Sequence, residues 1–344
     1  MYERFYGLTG RPFQLTPDPK FFFESTVHKR AASYLLYGLS QGEGFIVITG
    51  EVGAGKTTLL RHLLSTLNGR NYIAAQIVTS QLSADAVLTM VANAFGVSAA
   101  GGDKGAVLSG IERFFADNHR QGRRCLLVVD EAQNLSISAL EELRMLSNFQ
   151  TNERSLIQTF LLGQPEFRGI LQSPDMQQLR QRVVASYHLG PLDEEETRGY
   201  IAHRLRTVGW QGTPSFDNEA FAALHRFAGG IPRRLNTTCD RLLLFGFLEE
   251  KNHFGEAEVN EVIADLKNEV AHQDFHGSMG VANHAQTGSM LNNEDDARLA
   301  QRIDQVERSV NRILPIVRKI LYTVSERHTA ADEGTQPDNL DTTH

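Results

Sequence analysis

This 344-residue chain is short of several things: it has two cysteines, one tryptophan, no long apolar run and no excess of basic charge. Cys125 and Cys239 lie far apart within apolar segments, which excludes a disulfide scaffold and suits buried thiols in a reducing, cytoplasmic setting. No stretch approaches the ~18 apolar residues that span a bilayer, and the opening MYERFYGLTG has no basic region leading into an apolar one. Any membrane contact is therefore expected to be peripheral, at an inner membrane and through partners. With 34 Lys and Arg against 41 Asp and Glu, the net charge is −7 and the pI about 6.0. That balance gives no general pull toward nucleic acid or an anionic membrane. The length exceeds what one hydrophobic core usually supports, so two folded units with appendages are expected.

What is present begins with Phe45 to Leu60, FIVITGEVGAGKTTLL. An apolar run stops at a glycine-rich turn, and an amphipathic segment follows, which reads as strand, phosphate loop and helix. Gly50, Gly55, Lys56 and Thr57 satisfy G-x-x-x-x-G-K-[ST] in the context that gives the pattern meaning. Gly50, Gly53 and Gly55 let the backbone turn tightly and aim successive N–H groups at phosphate oxygens. The binding stretch is Gly50, Glu51, Val52, Gly53, Ala54, Gly55, Lys56, Thr57 and Thr58. Lys56 places a point charge on the β- and γ-phosphates of ATP, and the Thr57 hydroxyl is a ligand for Mg²⁺.

Around this loop the chain alternates strands and helices. Residues 1–30 are aromatic and interrupted by Pro12, Pro17 and Pro19, and form an irregular arm that either packs on the core or walls the nucleotide base. A short helix from Ala31 to Ser40 leads into the first strand. Tyr72 to Val78 is a strand, Ala84 to Phe95 and Ala106 to His119 are helices, and Leu156 to Leu162 and Val183 to Leu189 are further strands. Nearly continuous apolar strands alternating with helices indicate a parallel sheet covered on both faces.

Acids and amides fall at strand ends. The run CLLVVDEAQNL puts Asp130 and Glu131 at the carboxyl end of a buried strand, beside the phosphate loop in such a sheet. Asp130 would hold Mg²⁺ and Glu131 would polarise the attacking water. Gln164, closing the next strand, would sense the γ-phosphate or position water, with a plain turn glutamine as the alternative; Asn148 is a weaker candidate. Arg180 and Arg182, just before the fifth strand, suggest an arginine finger for a neighbouring subunit's γ-phosphate, Arg182 being preferred. From Pro191 the pattern becomes helical, strands stop, and helices run to about Val208, from Asn218 to Phe227, from Pro232 to Leu248 and from Glu256 to Leu266. Arg233 and Arg234 sit on the first turn of the third of these, an unfavourable place for cations that a phosphate would relieve.

The remainder divides into a flexible linker over 269–293, an amphipathic helix over 294–328 and a disordered tail over 329–344. His272, His276 and His284 in the linker lack a defined third ligand, so a flexible tract is preferred to a metal site. Leu299, Ile303, Val306, Val310, Ile313, Val317, Ile320 and Val324 trace a heptad seam that Pro315 interrupts. The seam points to self-association or docking of a protein partner.

Together, the phosphate loop, the DE strand, Gln164, LRQRV and GGIPRRLN, in this order, resemble an AAA+ ATPase over about residues 1–266. The opening FYGLTGRPFQLTPDPKFFF with YLLYGLSQGEGFIVITGEVGAGKTT and LLGQPEF is similar to the ExeA/GspA-type secretion ATPases, and looks most like the ATPase encoded in exosortase and exopolysaccharide loci. The resemblance implies a P-loop NTPase fold with a parallel five-stranded sheet over 31–190, followed by a helical lid over 191–268. It implies Asp130 and Glu131 as Walker B, Gln164 as sensor 1, Arg233 as sensor 2 and Arg182 or Arg180 as the finger. It also implies a ring or other oligomer. Larger members carry a membrane span and a wall-binding domain that this sequence does not show, so wall binding is not expected to transfer. The expectation is an ATP-hydrolysing assembly factor for an envelope export system. A DNA-associated regulator of the transposition-helper type is the alternative, although arginines and acids nearly balance over 171–245; a slow nucleotide switch is a third reading.

Overall fold

The run FIVITG forms β1 (Phe45–Gly50), buried along its whole length. Four further strands join it: β2 (Tyr72–Val78), β3 (Arg124–Asp130), β4 (Ile157–Gly163) and β5 (Val183–Leu189). All neighbours pair in parallel, in the order β2-β3-β4-β1-β5. Because β4 lies between β1 and β3, the phosphate loop, Gln164 and the acids at the end of β3 emerge side by side. The computed structural model describes residues 1–277 apart from 17, 67–71, 79–82, 99–102 and 152–153.

Helices cover both faces, as near-continuous apolar strands require. On one face, α1 (Thr26–Gln41) and α2 (Lys56–Thr66) bury Leu35, Leu39, Leu59 and Leu63 against Ile46, Ile48 and Phe160. On the other, α3 (Ala84–Ala94), α4 (Lys104–Arg120) and α5 (Ile137–Leu146) bury Val91, Ile111, Phe115 and Leu143 against Leu127, Val129 and Leu161. Each such fully buried side chain contributes roughly 1.5–3 kcal/mol. Helix α1 starts before Ala31, because the Ser25 hydroxyl caps its first turn by accepting from the His28 N–H at 3.3 Å. A short helix, α6 (Glu166–Gln172), follows β4.

A third core belongs to the helices after the sheet: α7 (Glu194–Thr207), α8 (Asn218–Ala228), α9 (Pro232–Leu248) and the start of α10 (Glu256–Gly277). Asp193 and Glu196 make the reciprocal capping box at the start of α7. Strands do not stop at the sheet: Ser215–Phe216 pairs with His253–Phe254, two residues each, too short to leave a period in the sequence. Helix α10 runs past Leu266 to Gly277. Tyr2, Tyr6, Leu8 and Phe13 of the N-terminal arm are buried in this same helical core. Residues 1–270 cluster as one compact unit. The heptad seam, Pro315, His284 and the tail lie outside the described residues, as does Pro17. Among the described residues no helix is long and apolar enough to cross a membrane.

Candidate nucleotide site

The phosphate loop is built on two glycines in the left-handed region, Gly53 at φ 83° and Gly55 at φ 98°. Both are also crowded: a Cβ on Gly53 would lie 2.2 Å from Cβ of Arg233, and one on Gly55 would lie 2.9 Å from Nε2 of His28. The loop thus fits closely between the lid and α1. Lys56 is buried, and its Nζ donates to the carbonyls of Gly50 at 2.7 Å and Glu51 at 3.0 Å. Burial lowers its pKa, while Glu131, Asp130 and Glu51 act to keep it charged.

Asp130 and Glu131 end β3. The Thr57 hydroxyl donates to Asp130 Oδ2 at 2.9 Å, so hydroxyl and carboxylate oxygens meet in the donor set that a hard divalent cation takes. Glu131 is a non-glycine residue in the left-handed region, φ 57° and ψ 41°, a strain of order 1–3 kcal/mol. The turn aims its carboxylate into the cleft rather than along the strand. Gln164 Nε2 donates to Glu131 Oε2 at 3.1 Å, and Gln133 Nε2 donates to the same oxygen at 2.6 Å. Gln133 also accepts from the Gln164 backbone N–H at 3.0 Å. Burial pushes the Glu131 carboxyl up, but the hydrogen bonds from Gln133 and Gln164 and the charge of Lys56 outweigh it, and the net shift is downward. Sequence reasoning missed Gln133; its only signal was its place two residues beyond the acids.

A cleft of about 320 Å³ opens over the loop. It is lined on the loop side by Gly53, Gly55, Lys56, Thr57, Thr58 and Glu131, and Arg233 reaches it from the lid. The Arg233 backbone N–H donates to the Gly53 carbonyl at 3.2 Å, so one orphan amide of α9 is satisfied by the phosphate loop itself. The other end is lined by Phe21, Phe22 and Phe23 of the arm with Tyr200, Arg204 and Asn236 of the lid. Phe22 stacks on His62 of α2, ring centroids 4.1 Å apart. His28 hydrogen-bonds Ser25 Oγ through Nδ1 at 2.7 Å, and burial lowers its pKa.

The remaining candidates lie elsewhere. Arg182 precedes β5 at the amino ends of the strands, where its carbonyl accepts from the Phe45 N–H. Its guanidinium donates to Ser147 Oγ at 2.9 Å and the Ser147 carbonyl at 3.3 Å. Arg180, exposed, donates to the Leu171 carbonyl at 2.8 Å. Asn148 is exposed and bonded to Met145, away from the cleft.

Residues 39–171 match the AAA domain family. Over 251 residues the chain is 40% identical to General secretion pathway protein A of Aeromonas hydrophila, an overlap of 72% of this chain and 45% of that protein. The chain therefore spans under half the length of that relative. It is 26% identical over 155 residues to an uncharacterized HTH-type transcriptional regulator of Methanocaldococcus jannaschii, covering 43% of this chain and 37% of that protein. Among solved structures it resembles the Aeropyrum pernix ORC2 protein in its ADPNP-ADP complexes, with a TM-score of 0.57 at 15% identity over 74% of this chain and 71% of that one. Cdc6p from Pyrobaculum aerophilum gives 0.56 at 14% identity over 70% and 67%. These likenesses concern the fold, which is that of a P-loop NTPase of the AAA type, a nucleotide-binding fold.

Proposed function

We propose that the chain is an ATPase of the secretion-protein-A group, working as an oligomer that supports an envelope export system of the exosortase or exopolysaccharide kind. The observation that carries the catalytic half is Glu131, strained into the cleft and held by Gln133 and Gln164 within the field of Lys56. A downward-shifted carboxyl stays ionised at neutral pH and so accepts a hydrogen bond from water. As the water oxygen bonds to the γ-phosphorus, the bridging bond to the β-phosphate breaks, Glu131 takes up the proton, and ADP and phosphate result. Lys56 leaves its two carbonyl partners to bind the β- and γ-phosphates. Thr57 and Asp130 are the oxygen ligands suited to Mg²⁺, whose charge would offset that developing on the phosphoryl oxygens.

Arg182 sits at the far end of β1 from the loop. The six residues of that strand, at roughly 3.3 Å each, put about 20 Å between Arg182 and its own phosphate site. A finger role for Arg182 therefore requires a second copy. The export role rests on the 40% identity to a protein named for general secretion and on the resemblance of the opening motifs.

Glu131→Gln tests the catalytic assignment. It should bind ATP as tightly as wild type while phosphate release falls at least about 100-fold. Wild-type turnover in that variant would remove Glu131 from its role.

A further inference from the structure

Resting on the nucleotide reading above, we infer that Arg204 is a positioning residue for the base end of the cleft: it fixes the N-terminal arm to the lid, so that the arm's aromatic wall is assembled by the lid and travels with it. Arg204 is 6% exposed, and a guanidinium so deeply placed must find hydrogen-bond acceptors. Its acceptors are Pro12 O at 2.5 Å through Nε, Gln14 O at 3.1 Å through Nη2 and the Tyr200 hydroxyl at 2.8 Å through Nη1. Two of the three belong to the arm. The Tyr200 hydroxyl passes the bond on by donating to Asn236 Oδ1 at 2.8 Å, which ties α7 to α9 at the same point. The guanidinium also lies 4.6 Å from the centroid of the Phe21 ring, a cation–π contact with the first of the three phenylalanines.

The rest of the arm is attached to the same body. The Thr9 N–H donates to the Val208 carbonyl at 2.9 Å, the Tyr2 hydroxyl to Asp240 at 2.5 Å and the Tyr6 hydroxyl to the Lys251 carbonyl at 3.0 Å. Phe23 packs between Tyr200 and His203, its approach to α7 made possible by Gly199, where a Cβ would meet its ring at 3.0 Å. At the other end of the segment the Thr26 N–H donates to Glu196 at 2.6 Å. Tyr2, Tyr6, Leu8, Phe13, Phe21 and Phe23 thus pack in the lid's core although they precede the sheet in sequence, and Phe22 between them turns to the sheet-side core. Across the cleft, Phe22 meets the sheet domain by stacking on His62 of the phosphate-loop helix. A base bound there touches lid-borne aromatic rings while its phosphates touch the sheet domain.

The consequence is a separation of effects that a general loss of stability would not give. In the full-length chain, Arg204→Met should weaken ATP binding about tenfold or more, in line with one base–aromatic contact. Binding of inorganic tripolyphosphate, which has no base, should stay within about twofold of wild type. Phe22→Ala should give the same pattern, and the double variant should be no worse than either single one, because both remove one wall. Arg204→Lys keeps the charge but cannot span three acceptors, so it should not restore ATP affinity. Equal weakening of ATP and tripolyphosphate, additive single effects, or rescue by lysine would overturn the assignment. Should Arg204→Met not fold, Phe22→Ala decides alone: unchanged ATP affinity there overturns it. Wild-type protein that binds neither ligand would overturn the nucleotide reading as well, a result distinct from variants that simply match wild type.

Discussion

Glu131 is one of two non-glycine residues, with Glu250, that the described structure holds in the left-handed region. Its left-handed backbone is a cost that a glycine would not bear, and the side chain recovers it through two amide donors on one carboxylate oxygen. These donors favour the charged carboxyl, so the stabilisation they give is present above the ordinary value of 4.5 and is lost as pH falls through the lowered one. Gln133 contributes the shorter of the two bonds and also receives the Gln164 backbone N–H, so it sets the geometry between the acid and the end of β4. Gln133→Ala is therefore expected to lower kcat about tenfold with KM for ATP little changed, since only the orientation of the proposed water-polarising group is loosened. Steady-state kinetics check this directly; a raised KM at unchanged kcat would assign Gln133 to binding instead.

At the scale of elements, the most consequential contact is the first turn of α9 on the phosphate loop. Gly53 occupies a variable position of the loop pattern, yet its φ of 83° and the 2.2 Å approach to Arg233 both demand the absence of a side chain. Gly53→Ala should strain the loop and push α9 away, weakening ATP at least about tenfold by titration while the melting temperature of the free protein moves by only a few degrees. Tight ATP binding in that variant would mean the lid contact is dispensable. Strand β5, bounded by Val183 and Leu189, and helix α9, bounded by Pro232 and Leu248, were legible from the sequence because apolar runs and a first-turn proline mark their ends. The start of α1 was not, since the signal is a lone serine, Ser25, whose capping bond needs the helix to exist. The paired two-residue strands after the sheet leave no pattern at all, and two of the three acceptors of Arg204 are carbonyls of residues almost two hundred positions away in sequence. The candidate site divides the same way: loop and acids are local motifs and Phe22 belongs to the aromatic arm offered as a wall for the base, whereas Gln133 and Tyr200 enter through tertiary placement.

For the whole molecule, the layout separates two ends of the sheet. The carboxyl ends carry the loop, the acids and the lid contact, while the amino ends carry Arg182, held against Ser147 at the close of α5. An isolated copy cannot bring the two together across the length of β1, so if Arg182 is the finger, as proposed, the activity depends on a second copy. Lys56→Ala, lacking the phosphate-binding cation, and Arg182→Ala, lacking the proposed finger, should each be inactive alone. Mixed in equal amounts they should regain activity, because about a quarter of randomly formed head-to-tail interfaces pair an intact loop with an intact arginine. Phosphate release measured across mixing ratios should pass through a maximum near equal proportions, and the same series with Arg180→Ala distinguishes the two arginines. If Arg182→Ala alone keeps wild-type turnover, or no ratio restores any, the second copy does not complete the site through this residue, and the arginine serves only to hold β5 against α5.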